Sequence, residues 1–178
     1  MATFIALLRG INVGGHRKVP MAELRKLCEV NGFGDVATYV QSGNVVLSAS
    51  GKAAAVEAKL ERAIASRFGF EVDVLVRTKG EWAGYAAGNP LAEASAAEPN
   101  RVMLLLSKRP PLASALSELR PRAKHGERLE QAGDALWIHY PAGQATTKLT
   151  PALLDRLVGS PVTARNARTV EELLRMAG

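Results

Sequence analysis

The stretch richest in chemistry is Arg9-Gly10-Ile11-Asn12-Val13-Gly14-Gly15-His16-Arg17-Lys18-Val19-Pro20. It holds three glycines and four side chains able to carry positive charge (Arg9, His16, Arg17, Lys18), and no carboxylate. Glycine lets backbone approach a ligand closely and take up positive φ. N–H groups bunched ahead of a helix favour anions. Anion or amide recognition is the chemistry these residue types suit. Other chemistries lack their residues here. The loop has no carboxylate pair for acid–base work and no oxygen ligands for a hard cation. Three scattered histidines and one cysteine do not make a zinc set. His16-Arg17 stands where a P-loop needs Lys followed by Ser or Thr. No metal and no cofactor is expected. His16 is the best single titratable candidate. The plainer readings are that Gly14-Gly15 only makes a turn, and that Arg17 and Lys18 are solvated surface charges.

Elements must position this loop. Thr3–Leu8 is a continuous apolar run and reads as a buried strand. Pro20 suits the first position of the helix that follows. Met21–Val30 carries a helical stripe in which Cys28 joins Met21, Leu24 and Leu27, and Asn31-Gly32 ends it. Val36–Gln41 and Asn44–Ser48 flank Ser42-Gly43 as a hairpin with a two-residue turn. A second helix runs from Gly51-Lys52 to Phe68, with Val56, Leu60 and Ile64 four apart, and Glu71–Arg77 is a strand. The order β-α-β-β-α-β is the ferredoxin-like motif.

Glu81–Ala87 reads as a short helix, stopped by Gly88-Asn89-Pro90. The Ala-rich chain to Pro99-Asn100 reads as linker. The second half repeats the order: strand Arg101–Ser107, helix Leu112–Leu119, hairpin Arg128–Ala132 and Asp134–Tyr140, a helix capped by Thr150-Pro151, and strand Pro161–Arg165. A capping box, Thr169 to Glu172, opens a C-terminal helix. The expected fold is α+β: two ferredoxin-like halves with antiparallel sheets, 1–80 and 100–178, joined through 81–99.

In this wiring the loop after the first strand and the Ser42-Gly43 turn share one end of the sheet. Arg9, Gly10, Asn12, Gly14, Gly15, His16 and Lys18 can then meet Gln41, Ser42 and Asn44. That cluster has donors and amides but no acid. In the second half, Lys148, Arg165 and Asn166 share one sheet end. The competing reading there is local capping by Asn166. Antiparallel docking of the halves would bring both clusters to one inter-domain cleft, the kind of place ligands favour.

The chain has 178 residues, 47% hydrophobic and 22% charged, which supports a globular core, and a net charge of +6. Basicity permits a nucleic-acid partner. The expected sheet carries too few aromatics to stack bases, so nucleic acid is not favoured. The basic run Lys108 to Arg128, diluted by Glu118 and Glu127, reads as solvated surface. The start has no basic n-region, and no run approaches a membrane span. A cytoplasmic protein without a membrane partner is expected.

Arg9-Gly-Ile-Asn-Val-Gly-Gly15, Val19-Pro-Met21, Gln41-Ser-Gly-Asn-Val45, Lys148-Leu-Thr150 and Thr163-Ala-Arg-Asn166 together resemble the bacterial family known as domain of unknown function 1697. The resemblance spans nearly the whole chain. It implies two ferredoxin-like halves and no established activity, substrate or cofactor. Where relatives read Arg-Asn-Trp-Asn-Thr, this chain has Arg165-Asn-Ala-Arg-Thr169. Three function classes follow: binding of a small phosphate- or carboxylate-bearing ligand; group transfer or hydrolysis at the same site; a nucleic-acid or protein interaction module.

Overall fold

A computed structural model describes residues 1–178. The chain divides into two units, Met1–Ala83 with Leu173–Gly178, and Gly84–Glu172. Each carries one four-stranded antiparallel sheet.

The first unit runs β1 (Ala2–Leu8), α1 (Met21–Val30), β2 (Gly34–Tyr39), β3 (Asn44–Ala49), α2 (Ala53–Phe68) and β4 (Val74–Thr78). Its strand order is β2-β3-β1-β4. Phe4, Ala6, Leu8, Val45, Leu47, Val74 and Val76 form the floor of the core. Met21, Leu24 and Cys28 of α1 and Val56, Leu60 and Ile64 of α2 close it. Each fully buried Leu, Ile or Phe contributes roughly 1.5–3 kcal/mol. Leu7 pairs with Asn44, and Leu8 with Val74. The end of β1, the start of β3 and the start of β4 therefore lie together.

β4 is an edge strand, and its outward N–H groups need partners. Glutamates supply them: Val74 N donates to Glu61 (2.9 Å), Val76 N to Glu57 (3.0 Å) and Thr78 N to Glu81 (2.7 Å). Glu57 and Glu61 sit one helical turn apart on α2, so one flank of that helix is committed to the sheet edge.

The second unit holds α4 (Ala92–Ala97), β5 (Val102–Ser107), α5 (Ala115–Leu119), β6 (Arg128–Ala132), β7 (Ala135–His139), α6 (Pro151–Val158) and β8 (Val162–Asn166), in strand order β6-β7-β5-β8. Leu105, Leu136 and Ile138 pack with Ala115, Leu119, Leu154 and Leu157. Asp155 of α6 accepts from Val162 N (3.0 Å), the same edge-strand device as in the first unit. The boundaries between the units fall within helices α3 (Lys79–Ala87) and α7 (Ala167–Ala177).

Local readings change at several places, and α5 begins at Ala115 rather than Leu112. Pro20 is the N-cap of α1, with extended backbone (ψ 135°), one residue outside the helix. The β2–β3 connection has four residues, 40–43, because Tyr39 pairs with Asn44. β4 starts at Val74, not Glu71. The Ala-rich stretch forms α4: alanine is the strongest helix former, and Asn89 holds the approach by accepting from Leu91 N (2.8 Å). Asn166, not Thr169, caps α7, its Oδ1 accepting from Thr169 N (2.9 Å).

Candidate functional site

The loop after β1 is a small hairpin on a buried base. Asn12 N donates to Arg17 O (3.1 Å) and His16 N to Val13 O (3.0 Å). Gly14 (φ 59°) and Gly15 (φ 76°) both take positive φ, as the central pair of a tight hairpin turn does. Ile11 and Val19 are buried at its foot, while Val13, Gly14, Gly15, His16, Arg17 and Lys18 are exposed. Gly10 is also exposed.

Asn12 ties the loop to the β2–β3 turn. Its Nδ2 donates to Val19 O (2.9 Å) and Gln41 O (2.7 Å), and its Oδ1 accepts from Val19 N (2.8 Å). Of the loop side chains, Asn12 reaches the turn through these bonds. Gln41 contributes a backbone carbonyl. Asn44 is fully buried and builds the turn, its Nδ2 donating to Tyr39 O (2.9 Å) and Ser42 Oγ (3.1 Å). Gly43 is buried at φ 88° and accepts from Leu8 N (2.8 Å). Val40, a β-branched residue at φ 49°, sits exposed in the same turn, a costly conformation for that side chain.

The cluster is not free of acids. Arg9 Nη1 lies 3.6 Å from Asp73 Oδ2, and Arg9 N donates to Asp73 O (3.0 Å). An open pocket of about 430 Å³ beside this pair is lined by Arg9, Arg17, Glu61, Arg62, Ala65, Glu71, Val72 and Asp73. Three arginines thus face three carboxylates. Loop composition hides this, because the acids come from α2 and from the residues leading into β4. The signal is the wiring itself: a fourth strand antiparallel to β1 must begin where the loop begins.

The second-unit candidates sit in other surroundings. Lys148 is exposed, in a segment anchored by Glu127. Glu127 accepts from Thr147 Oγ1 (2.9 Å) and His125 N (2.9 Å). Burial alone would raise the Glu127 carboxyl. The N–H groups of His125 and Glu127 and the Thr147 hydroxyl outweigh it and hold the carboxyl below its ordinary range. Arg165 is buried, its Nη1 donating to Thr163 Oγ1 (2.9 Å) and Ala164 O (2.9 Å), and burial pushes its guanidinium down to about 10. Asn166 serves as the α7 cap described above. In the first unit, burial, then the nearby Glu29 charge, pushes the Cys28 thiol up to about 12, so it stays protonated at neutral pH.

No helix is long and apolar enough to cross a membrane. Comparison with known proteins places these features in context. A family model described as a protein of unknown function, DUF1697, matches residues 1–137. No curated protein matches the chain. Among solved structures, the conserved bacterial protein SP0830 from Streptococcus pneumoniae is similar, with a TM-score of 0.76 at 24% identity, covering 99% of each chain. That likeness concerns the fold.

Proposed function

The chain belongs to the DUF1697 family of proteins of unknown function, and from this premise we propose that its first unit binds a small anionic ligand at the foot of the 9–20 loop. The observation that carries the reading is the convergence of Arg9 and Arg17 of the loop and Arg62 of α2 on one pocket of about 430 Å³. Arginine is suited to phosphate and carboxylate groups because its planar fork gives two parallel hydrogen bonds. Glu61, Glu71 and Asp73 on the same walls balance that charge. The ligand therefore carries donors, hydroxyl or amino groups, besides its anionic group, as a sugar phosphate or an amino acid does. Asn12 and Asn44 hold the loop and turn in place and need not touch it. The reading does not draw on Lys148, Arg165 or Asn166.

Asp73 favours a second reading, group transfer or hydrolysis. It supplies a carboxylate that the loop lacks, 3.6 Å from a guanidinium able to stabilise developing negative charge.

A thermal-shift screen of nucleotides, sugar phosphates, amino acids and small carboxylic acids tests binding. At about 100 times its Kd a ligand stabilises by roughly 2.7 kcal/mol, a rise on the order of 5–10 °C for a chain of this size. Arg9→Met should weaken the best ligand about 10- to 100-fold through loss of a charge-assisted bond. Arg156→Gln, an exposed position on α6, should not. No shift beyond that of chloride at equal ionic strength would end the reading.

A further inference from the structure

Arg62 does not belong to that pocket alone. It also lines a groove of about 610 Å³ between α1 and α2, with Leu27, Asn31, Lys59, Ala63, Ser66 and Arg67. Lys59 in turn lines a hollow of about 200 Å³ that includes Phe33, Ala49 and Val56. Neighbouring depressions share Arg62 and Lys59, and all three take lining residues from α2, a helix of 16 residues, roughly 24 Å at about 1.5 Å per residue.

Charges of both signs on α2 line the first pocket, but along the middle groove the helix presents only cations. Glu57 and Glu61 are spent on the N–H groups of β4. Lys59, Arg62 and Arg67 line the middle groove, and no carboxylate does. Lys59 Nζ lies 5.0 Å from the Phe33 ring centroid. Arg67 is 3.3 Å from Glu23, with both side chains about half exposed. Such a pair is worth at most about 1 kcal/mol and yields readily to a stronger anion.

We propose that this groove holds the phosphate backbone of a nucleic-acid duplex without reading its bases. Five of the seven lining residues (Asn31, Lys59, Arg62, Ser66, Arg67) are of the types that contact phosphate oxygens. No aromatic lines the middle groove, and Phe33, in the next hollow, is buried beneath Lys59. There is accordingly no platform on which unpaired bases would stack. An acidic helical peptide would need apolar sockets at helical spacing, and Leu27 and Ala63 are the groove's only apolar lining. Each strand carries one phosphate per about 3.4 Å of duplex axis, so the length of α2, laid along that axis, spans on the order of seven base-pair steps. The proposal goes beyond the small-ligand reading, since Asn31, Lys59, Ser66 and Arg67 lie outside that pocket.

The experiment is fluorescence anisotropy with a labelled 16-base-pair duplex, as DNA and as RNA, titrated in salt from 50 to 300 mM. Binding should weaken linearly on logarithmic axes with a slope of about −3, as displacement of counterions by three cations requires. Lys59→Gln, Arg62→Gln and Arg67→Gln should each lower the slope by about one, and the triple variant should not bind. Arg156→Gln should match the wild type. On wild-type protein alone, bound duplex should shield Lys59 from amine acetylation and leave Lys124 reactive. Four results would each overturn the proposal: no binding at 50 mM salt, a triple variant that binds as well as wild type, tighter binding of the single strand, or displacement by poly-aspartate at equal charge. The small-ligand thermal shift should survive Lys59→Gln and Arg67→Gln, so the two readings fail separately.

Discussion

At Gly43 the chain leaves a side chain no room, and the crowding comes from the loop that matters. A Cβ built there would sit 2.7 Å from Ile11 Cδ1 and 2.8 Å from Leu8 Cβ, on a backbone at φ 88°. Ile11 is the buried foot of the hairpin and cannot swing aside without lifting it. Gly43→Ala should therefore cost roughly 2–4 kcal/mol, combining left-handed backbone strain with overpacking. Urea denaturation measures the loss, and hydrogen exchange at Val19 reports whether the loop has loosened. A change under about 0.5 kcal/mol would show that the turn and the loop foot are not coupled. Asn12 and Asn44 act in the same place. Their types and the wiring that joins loop to turn are legible in the sequence. That the Asn12 amide is taken up by Val19 and Gln41, and that of Asn44 by Tyr39 and Ser42, is not, since it depends on the folded geometry of loop and turn.

Among the elements, the strands and main helices of both units are legible because each buried face repeats with its own period. Val56, Leu60 and Ile64 mark α2, and Leu154 and Leu157 mark α6. Helix α4 escapes, since a run of alanines with no buried residue carries no stripe. The acids of the first-unit pocket escape for a different reason: Glu61, Glu71 and Asp73 are remote from the loop in sequence and meet it only once β4 is placed against β1. Glu127 shows how one side chain can govern an element. Its carboxylate ties the segment that carries Lys148 to the residues before β6. Because its folded value lies below the ordinary 4.5, it contributes stability above that value and loses it as pH falls through the lower folded one. Glu127→Gln should thus lower the melting temperature at pH 7, and the gap from wild type should close as the pH is lowered below 4.5. A gap independent of pH would mean that shape, not charge, holds the segment.

On the scale of the whole molecule, the first unit is assembled from both ends of the chain. Leu173, fully buried, and the residues to Gly178 belong with Met1–Ala83. Leu173→Ala should cost about 2–5 kcal/mol, and the damage should appear as faster hydrogen exchange in β1 and α2. Loss of protection confined to β5–β8 would contradict that assignment. The same division bears on how the protein is made. A ribosome releases the chain from its N-terminus, so Met1–Ala83 emerges first yet waits for its last piece. On the order of 90 further residues must be added before Leu173 appears, about 5 to 20 seconds at ordinary elongation speeds. Gly84–Glu172 is continuous in sequence and can finish folding first. A released chain ending at Glu172 should therefore carry a protease-resistant second unit and a first unit more open to digestion, with the loop and its pocket among the parts that stay loose.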